Sequence, residues 1–109
     1  MQWKSAGYTY GVGSGNYVQL PTSDKYNEIA VYVNINTGNN DRHVMVIPRS
    51  AVQFDGGIYI MGATGTPSYG SSHIRFSITG ERKLYIRDVF YGSSSMDSAT
   101  NPALEVLYR

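Results

Sequence analysis

Apolar residues in this chain recur at every second position, in short runs separated by breaks rich in Gly, Ser and Asn. That period belongs to β-strands, and no stretch sustains the 3.6-residue period of a helix. The clearest run is 28–36. Ile29, Val31, Val33 and Ile35 share one face, while Ala30, Tyr32, Asn34 and Asn36 share the other. The first face is core and the second is wet or lightly covered. Gly38, Asn39, Asn40 and Asp41 then make a turn, because Gly and Asn tolerate the positive φ that turns need. The run 43–47 is apolar on both faces, with Val44 and Val46 against Met45 and Ile47. It predicts a strand covered on both sides and stopped by Pro48, which has no N–H for a ladder.

Four more runs follow the same logic. Residues 58–61 place Ile58 and Ile60 together; 73–79 turn Ile74, Phe76 and Ile78 inward; 83–89 do the same with Leu84 and Ile86; 103–108 align Leu104, Val106 and Tyr108. Residues 16–20 read as a strand stopped by Pro21, and 3–6 as a weaker one. The segment 63–72 reads as a loop of small residues.

The turn between the strands at 73–79 and 83–89 offers a register test. A two-residue Gly80-Glu81 hairpin would pair Ile78 with Lys83 and drive Lys83 and Arg87 into the core. Shifting by one residue pairs Ile78 with Leu84 and Phe76 with Ile86. A one-residue slip reverses every side chain, so the hydrophobic match decides, and it predicts an odd-length loop or a bulge. Roughly seven or eight such strands predict an all-β, antiparallel two-sheet sandwich, jelly-roll-like, with a closed barrel as the alternative. No repeat, linker or charge block divides residues 1–109, which read as a single domain.

Composition narrows the functions. The 109 residues carry a formal net charge of +1 and no basic cluster, which argues against nucleic-acid binding through phosphate contacts. No apolar run is long enough to insert into a membrane. Met1-Gln2-Trp3-Lys4-Ser5 lacks the apolar stretch of a signal peptide. With zero cysteines, disulfides, thiolate metal sites and thiol nucleophiles are all excluded.

Candidate chemistry is sparse. His43 and His73 have no partner ligand at a metal spacing, so they read as surface or half-buried imidazoles and no metal or other cofactor is expected. Asp24, Asn27 and Glu28, and the Asn39-Asn40-Asp41 group, offer oxygens for calcium but suit turns better. Gly11-Val12-Gly13-Ser14-Gly15 is no phosphate cradle, because a strand and not a helix N-terminus follows it. The eight acidic residues are scattered, and Ser93-Ser94-Ser95 has no base spaced to activate it. The reading is non-enzymatic.

Ten tyrosines set against only 16% charged residues are the informative feature. Tyr offers a large rigid contact area at small entropic cost, with a hydroxyl for hydrogen bonding. Tyr17, Tyr32, Tyr59, Tyr85 and Tyr108 read as completing the core or covering strand faces. Tyr10 on the N-terminal segment, and Tyr69 and Tyr91 in the two longest loops, are the candidate ligand-binding residues, with plain surface as the competing reading.

Trp3-Lys4, Leu20-Pro21, the stretch from Tyr26-Asn27-Glu28 to Val33, Val46-Ile47-Pro48-Arg49-Ser50 and the closing Leu104-Glu105-Val106-Leu107-Tyr108-Arg109 carry a resemblance. In this order they resemble a C-terminal tip domain of tail-fibre and baseplate proteins from phages and prophages of Gram-positive gut bacteria. The resemblance implies a β-sandwich head, homotrimeric, located on the virion outside the cell, that contacts a host-cell surface polymer. It also implies a domain excised from a longer fibre-like protein. Two competitors remain: a carbohydrate-binding module of a bacterial surface protein or glycoside hydrolase, and a purely structural assembly domain of the virion. An exposed row of aromatic rings on one flat face would favour the carbohydrate-binding module. Tyrosines dispersed over distal loops with a threefold contact would favour the fibre tip.

Overall fold

The alternating runs settle into two antiparallel sheets. The computed structural model describes residues 2–35, 42–62, 72–91, 94–95 and 102–109. In the first sheet β1 (Lys4–Tyr10), β9 (Ala103–Tyr108), β3 (Glu28–Asn34) and β4 (Arg42–Pro48) lie side by side in that order. The second holds β2 (Tyr17–Gln19), β7 (Lys83–Tyr91), β6 (Ser72–Ile78) and β5 (Ile58–Gly62), with β8 (Ser94–Ser95) against the C-terminal end of β7. The architecture is a β-sandwich, and the sheets do not close into the barrel weighed as the alternative.

The core is what the period-two pattern demands. Ile29, Val31 and Val33 of β3 and Leu104 and Val106 of β9 face Ile74, Phe76 and Ile78 of β6 and Leu84, Ile86 and Val89 of β7, all buried in one cluster. Branched side chains suit such pleated, two-layer packing, with sheets ~10 Å apart. The hairpin also obeys the hydrophobic match: Ile78 pairs with Leu84 and Phe76 with Ile86. Its loop is the odd-length Gly80-Glu81-Arg82. Arg82 N–H donates to the Thr79 carbonyl (2.9 Å), and Arg82 itself takes the left-handed position at φ 63°. What holds a non-glycine residue there is β2's exit: Leu20 N–H donates to the Arg82 carbonyl at 2.8 Å, and Arg82 Nε donates to the Leu20 carbonyl at 3.3 Å.

A second irregularity lies further along β7, where Phe76 pairs with Ile86 but Arg75 pairs with Asp88. The extra residue, Arg87, lets Asp88 face outward against Arg75 and returns Val89 to the core. Arg75 Nε donates to Asp88 Oδ1 at 2.7 Å, a second Arg75 nitrogen meets Oδ2, and the guanidinium also lies over the Phe90 ring at 5.3 Å.

One expectation is corrected. β4 is not covered on both sides: it is an edge strand, and its Val44 and Val46 are 53% and 51% exposed. Ile58 and Ile60 on β5, an edge of the other sheet, also face outward and are exposed.

The chain's two ends meet at one end of the first sheet. Lys4 pairs with Tyr108, the Arg109 guanidinium lies 4.1 Å from the Trp3 ring centre, and Arg109 Nε reaches Glu28 Oε2 at 3.5 Å.

Tyr26, between a short 3₁₀ turn (Ser23–Lys25) and β3, is 2% exposed, and its hydroxyl has no hydrogen-bond partner among the described residues. Burial pushes its phenol above the ordinary tyrosine pKa of 10.0. A raised folded-state value means the fold favours the neutral phenol. That contribution is complete below about pH 10 and is lost as pH rises through the raised value. Tyr26→Phe removes the unpaired hydroxyl and should leave stability at pH 7 unchanged or raised by about 1 kcal/mol. Chemical denaturation above about pH 10 should show the variant losing less stability than the wild type. A variant destabilised at pH 7 would show that the hydroxyl is bonded.

Candidate ligand-binding face

The side chains that gather on the outer face of the first sheet get there through a bulge. Ser5 pairs with Leu107 and Gly7 with Val106, so Ala6 is an extra residue in β1. Without it, simple alternation from Ser5 would send Tyr8 and Tyr10 into the core. With it, Ala6 packs against the core and both tyrosines turn outward, 70% and 51% exposed. Gly7 makes this possible at φ 136°, a torsion that side-chain-bearing residues avoid.

Cross-strand register then assembles two rows on that face. The first reads Tyr8, Glu105, Tyr32 and Val44 across β1, β9, β3 and β4. The second reads Tyr10, Ala103, Asn34 and Arg42 across the same strands. Ala103 is the small residue between larger neighbours, and the rows enclose an open cleft of about 410 Å³. The Tyr8 and Tyr10 rings meet edge to face, 6.2 Å apart at 85°, and Tyr32, 40% exposed, stands two strands away.

The polar groups are few. Ser5 Oγ donates to Glu105 Oε2 at 3.3 Å, which leaves the carboxylate further capacity to accept hydrogen bonds. Asn34 Oδ1 is buried with no partner among the described residues. Arg42 is exposed at the rim. Aromatic walls with a small number of convergent polar groups are the usual composition of small-ligand sites.

Comparison with family models, with curated proteins and with solved structures finds no match to this chain.

Of the three residues expected to bind, Tyr10 lies in the cleft. Tyr69 lies outside the described residues. Tyr91 is not in a loop: its backbone ends β7 in the other sheet, paired with Ser72 and Ser94, and its side chain lies outside the described residues. Tyr32, expected as cover, instead forms a wall of the cleft together with Tyr8. Gly7 inside a strand was the available signal, since an isolated glycine in such a run often marks a bulge.

His43 lines the cleft, Asn39, Asn40, Asp41 and Ser93 lie outside the described residues, and several other candidates have structural partners. His73 stacks on Phe90, with ring centres 4.7 Å apart. Two amides of the glycine segment are spent inside the protein: Gly11 N–H donates to the Pro102 carbonyl at 2.9 Å and Gly13 N–H to that of Ile86 at 2.8 Å. Glu28, Glu81 and Asp88 each face a cation, Arg109, Lys83 and Arg75 respectively. Among the described residues no three His, Asp or Glu side chains group as metal ligands.

Proposed function

We propose that this chain is a non-catalytic glycan-binding β-sandwich, attaching to a surface polymer through Tyr8, Tyr10 and Tyr32. The observation that carries the reading is three exposed tyrosines on one sheet face, bordering a cleft that also holds a carboxylate, an amide and a guanidinium. Phenol rings offer apolar faces to the C–H side of a sugar ring, and the polar groups supply donors and acceptors for its hydroxyls. This arrangement favours the carbohydrate-binding module over tyrosines scattered on distal loops. The setting at a phage fibre or baseplate tip, with a trimer that multiplies weak contacts, rests on the resemblance of the sequence segments.

A glycan and bacterial cell-wall binding screen tests the reading. Tyr32→Ala should weaken capture at least about tenfold, because an aromatic anchor that the bound ligand covers contributes about 2 kcal/mol. Ile60→Ala, on the opposite sheet, should bind like the wild type. Binding untouched by Tyr32→Ala would remove this face from consideration, as would loss on Tyr69→Ala with Tyr91→Ala.

An assembly role is the second reading, favoured by one observation: Val44 and Val46 extend the exposed apolar area beside Tyr32. It predicts that Val44→Ser with Val46→Ser lowers the mass measured by light scattering while no glycan binds the wild type.

A further inference from the structure

We infer that the cleft selects an uncharged sugar ring and that Glu105 is the residue that rejects anionic polymers. The inference rests on the glycan reading above and narrows its ligand. Glu105 pairs directly with Tyr8 on one side and Tyr32 on the other. Neighbouring strands lie ~4.8 Å apart, so the carboxylate occupies the floor between the two rings, within reach of anything stacked on either. One of its oxygens takes the Ser5 hydroxyl at 3.3 Å, and the carboxylate, which lines the cleft, keeps further capacity to accept.

A carboxylate in that position asks for donors. Vicinal hydroxyls of a sugar supply them, and charge-assisted bonds of this kind are stronger than neutral ones. A phosphodiester group offers no donor, and a sugar acid keeps hydroxyls but adds a carboxylate; either brings a like charge to the centre of the platform, where repulsion from Glu105 opposes binding. The one cation of the two rows, Arg42, lies in the second row on edge strand β4, two strands from Glu105. Formal charge across the two rows therefore sums to zero, with Glu105 central and Arg42 at the rim, and His43, next to Arg42 on β4, also lines the cleft. Asn34, next to Arg42 in the same row, adds an amide NH2 that can donate to hydroxyl oxygens, while its Oδ1 is buried.

The experiment uses the whole chain on two immobilised panels at low salt: neutral hexose oligosaccharides, and anionic probes comprising poly(glycerol phosphate) and sialylated oligosaccharides. The wild type should bind neutral probes only. Glu105→Gln keeps the shape and the Ser5 bond. It should weaken neutral binding about fivefold, the difference between a charge-assisted and a neutral hydrogen bond. It should also raise retention on the anionic panel about tenfold, and added salt should erase that gain. Unchanged thermal unfolding of Glu105→Gln separates these effects from misfolding, and Glu105→Asp, which restores the charge, should restore the rejection of anions. Wild-type preference for the anionic panel, abolished by Arg42→Gln and by Tyr32→Ala, overturns the charge inference and leaves the glycan reading standing. No binding on either panel removes both, and so does a Tyr32→Ala variant that changes only the oligomeric mass.

Discussion

Phe76→Ala should cost about 3–5 kcal/mol of unfolding free energy, the usual range for emptying a fully buried aromatic site. Phe76 is wholly buried at the middle of β6, its ring stacked on Tyr59 with centres 5.0 Å apart and planes 8° from parallel. Tyr59 cannot follow the ring into the void, because its hydroxyl donates to the Ala51 carbonyl at 2.9 Å and accepts from Gln53 N–H at 2.7 Å. The cavity therefore stays open, and the cost falls at the upper part of the range. Small domains hold only ~5–15 kcal/mol in total, so thermal unfolding should fall by more than about 10 °C. Phe76→Leu, which keeps most of the apolar volume, should fall well short of that. A loss under about 1 kcal/mol for Phe76→Ala, measured by urea denaturation, would mean that the two layers are not closed over β6.

Gly7→Ala should damage stability and binding together. The added Cβ would meet Val18 Cγ1 at 3.7 Å, an ordinary contact, so space is not the obstacle. The torsion is: φ 136° is strained for alanine, at a cost of about 1–3 kcal/mol. The chain can escape by dropping the bulge, but that reverses the parity of β1 and sends Tyr8 and Tyr10 inward. Retained strain lowers the melting temperature, and escape removes two of the three rings from the cleft. Glycan capture should drop more than about tenfold in the second case. Full stability with full binding would show that the bulge does not set the direction of these side chains.

The two outcomes mark what the sequence made legible. Branched residues at 29, 31 and 33, at 74 and 78, and at 84 and 86 announce strands and their inner faces, because period two leaves no other way to bury them together. The register at Ile78 and Leu84 followed because the competing register buried Lys83 and Arg87. Parity is only local knowledge, however. The bulges at Ala6 and Arg87 each reverse it, and between Ser5 and Tyr10 only Gly7 hints at where the reversal falls. Edge or centre is not local at all. Val44 and Val46 look doubly covered until β4 is known to have no further neighbour. The cleft was legible only through Tyr10, because its rows join residues as distant as Tyr8 and Glu105, and Tyr32 and Glu105.

The clasp of Trp3, Glu28 and Arg109 puts both polypeptide ends at the heel of the first sheet, whereas Tyr10, Asn34 and Arg42 stand at its toe. From Lys4 to Tyr10, β1 covers roughly 20 Å at ~3.3 Å per residue. Whatever is fused before Trp3 or after Arg109 thus grips the module at the strand ends farthest from Tyr10. A bead, sensor chip or scaffold coupled through either end will hold the far strand ends away from the support and leave the tyrosine face uncovered at the side of the module.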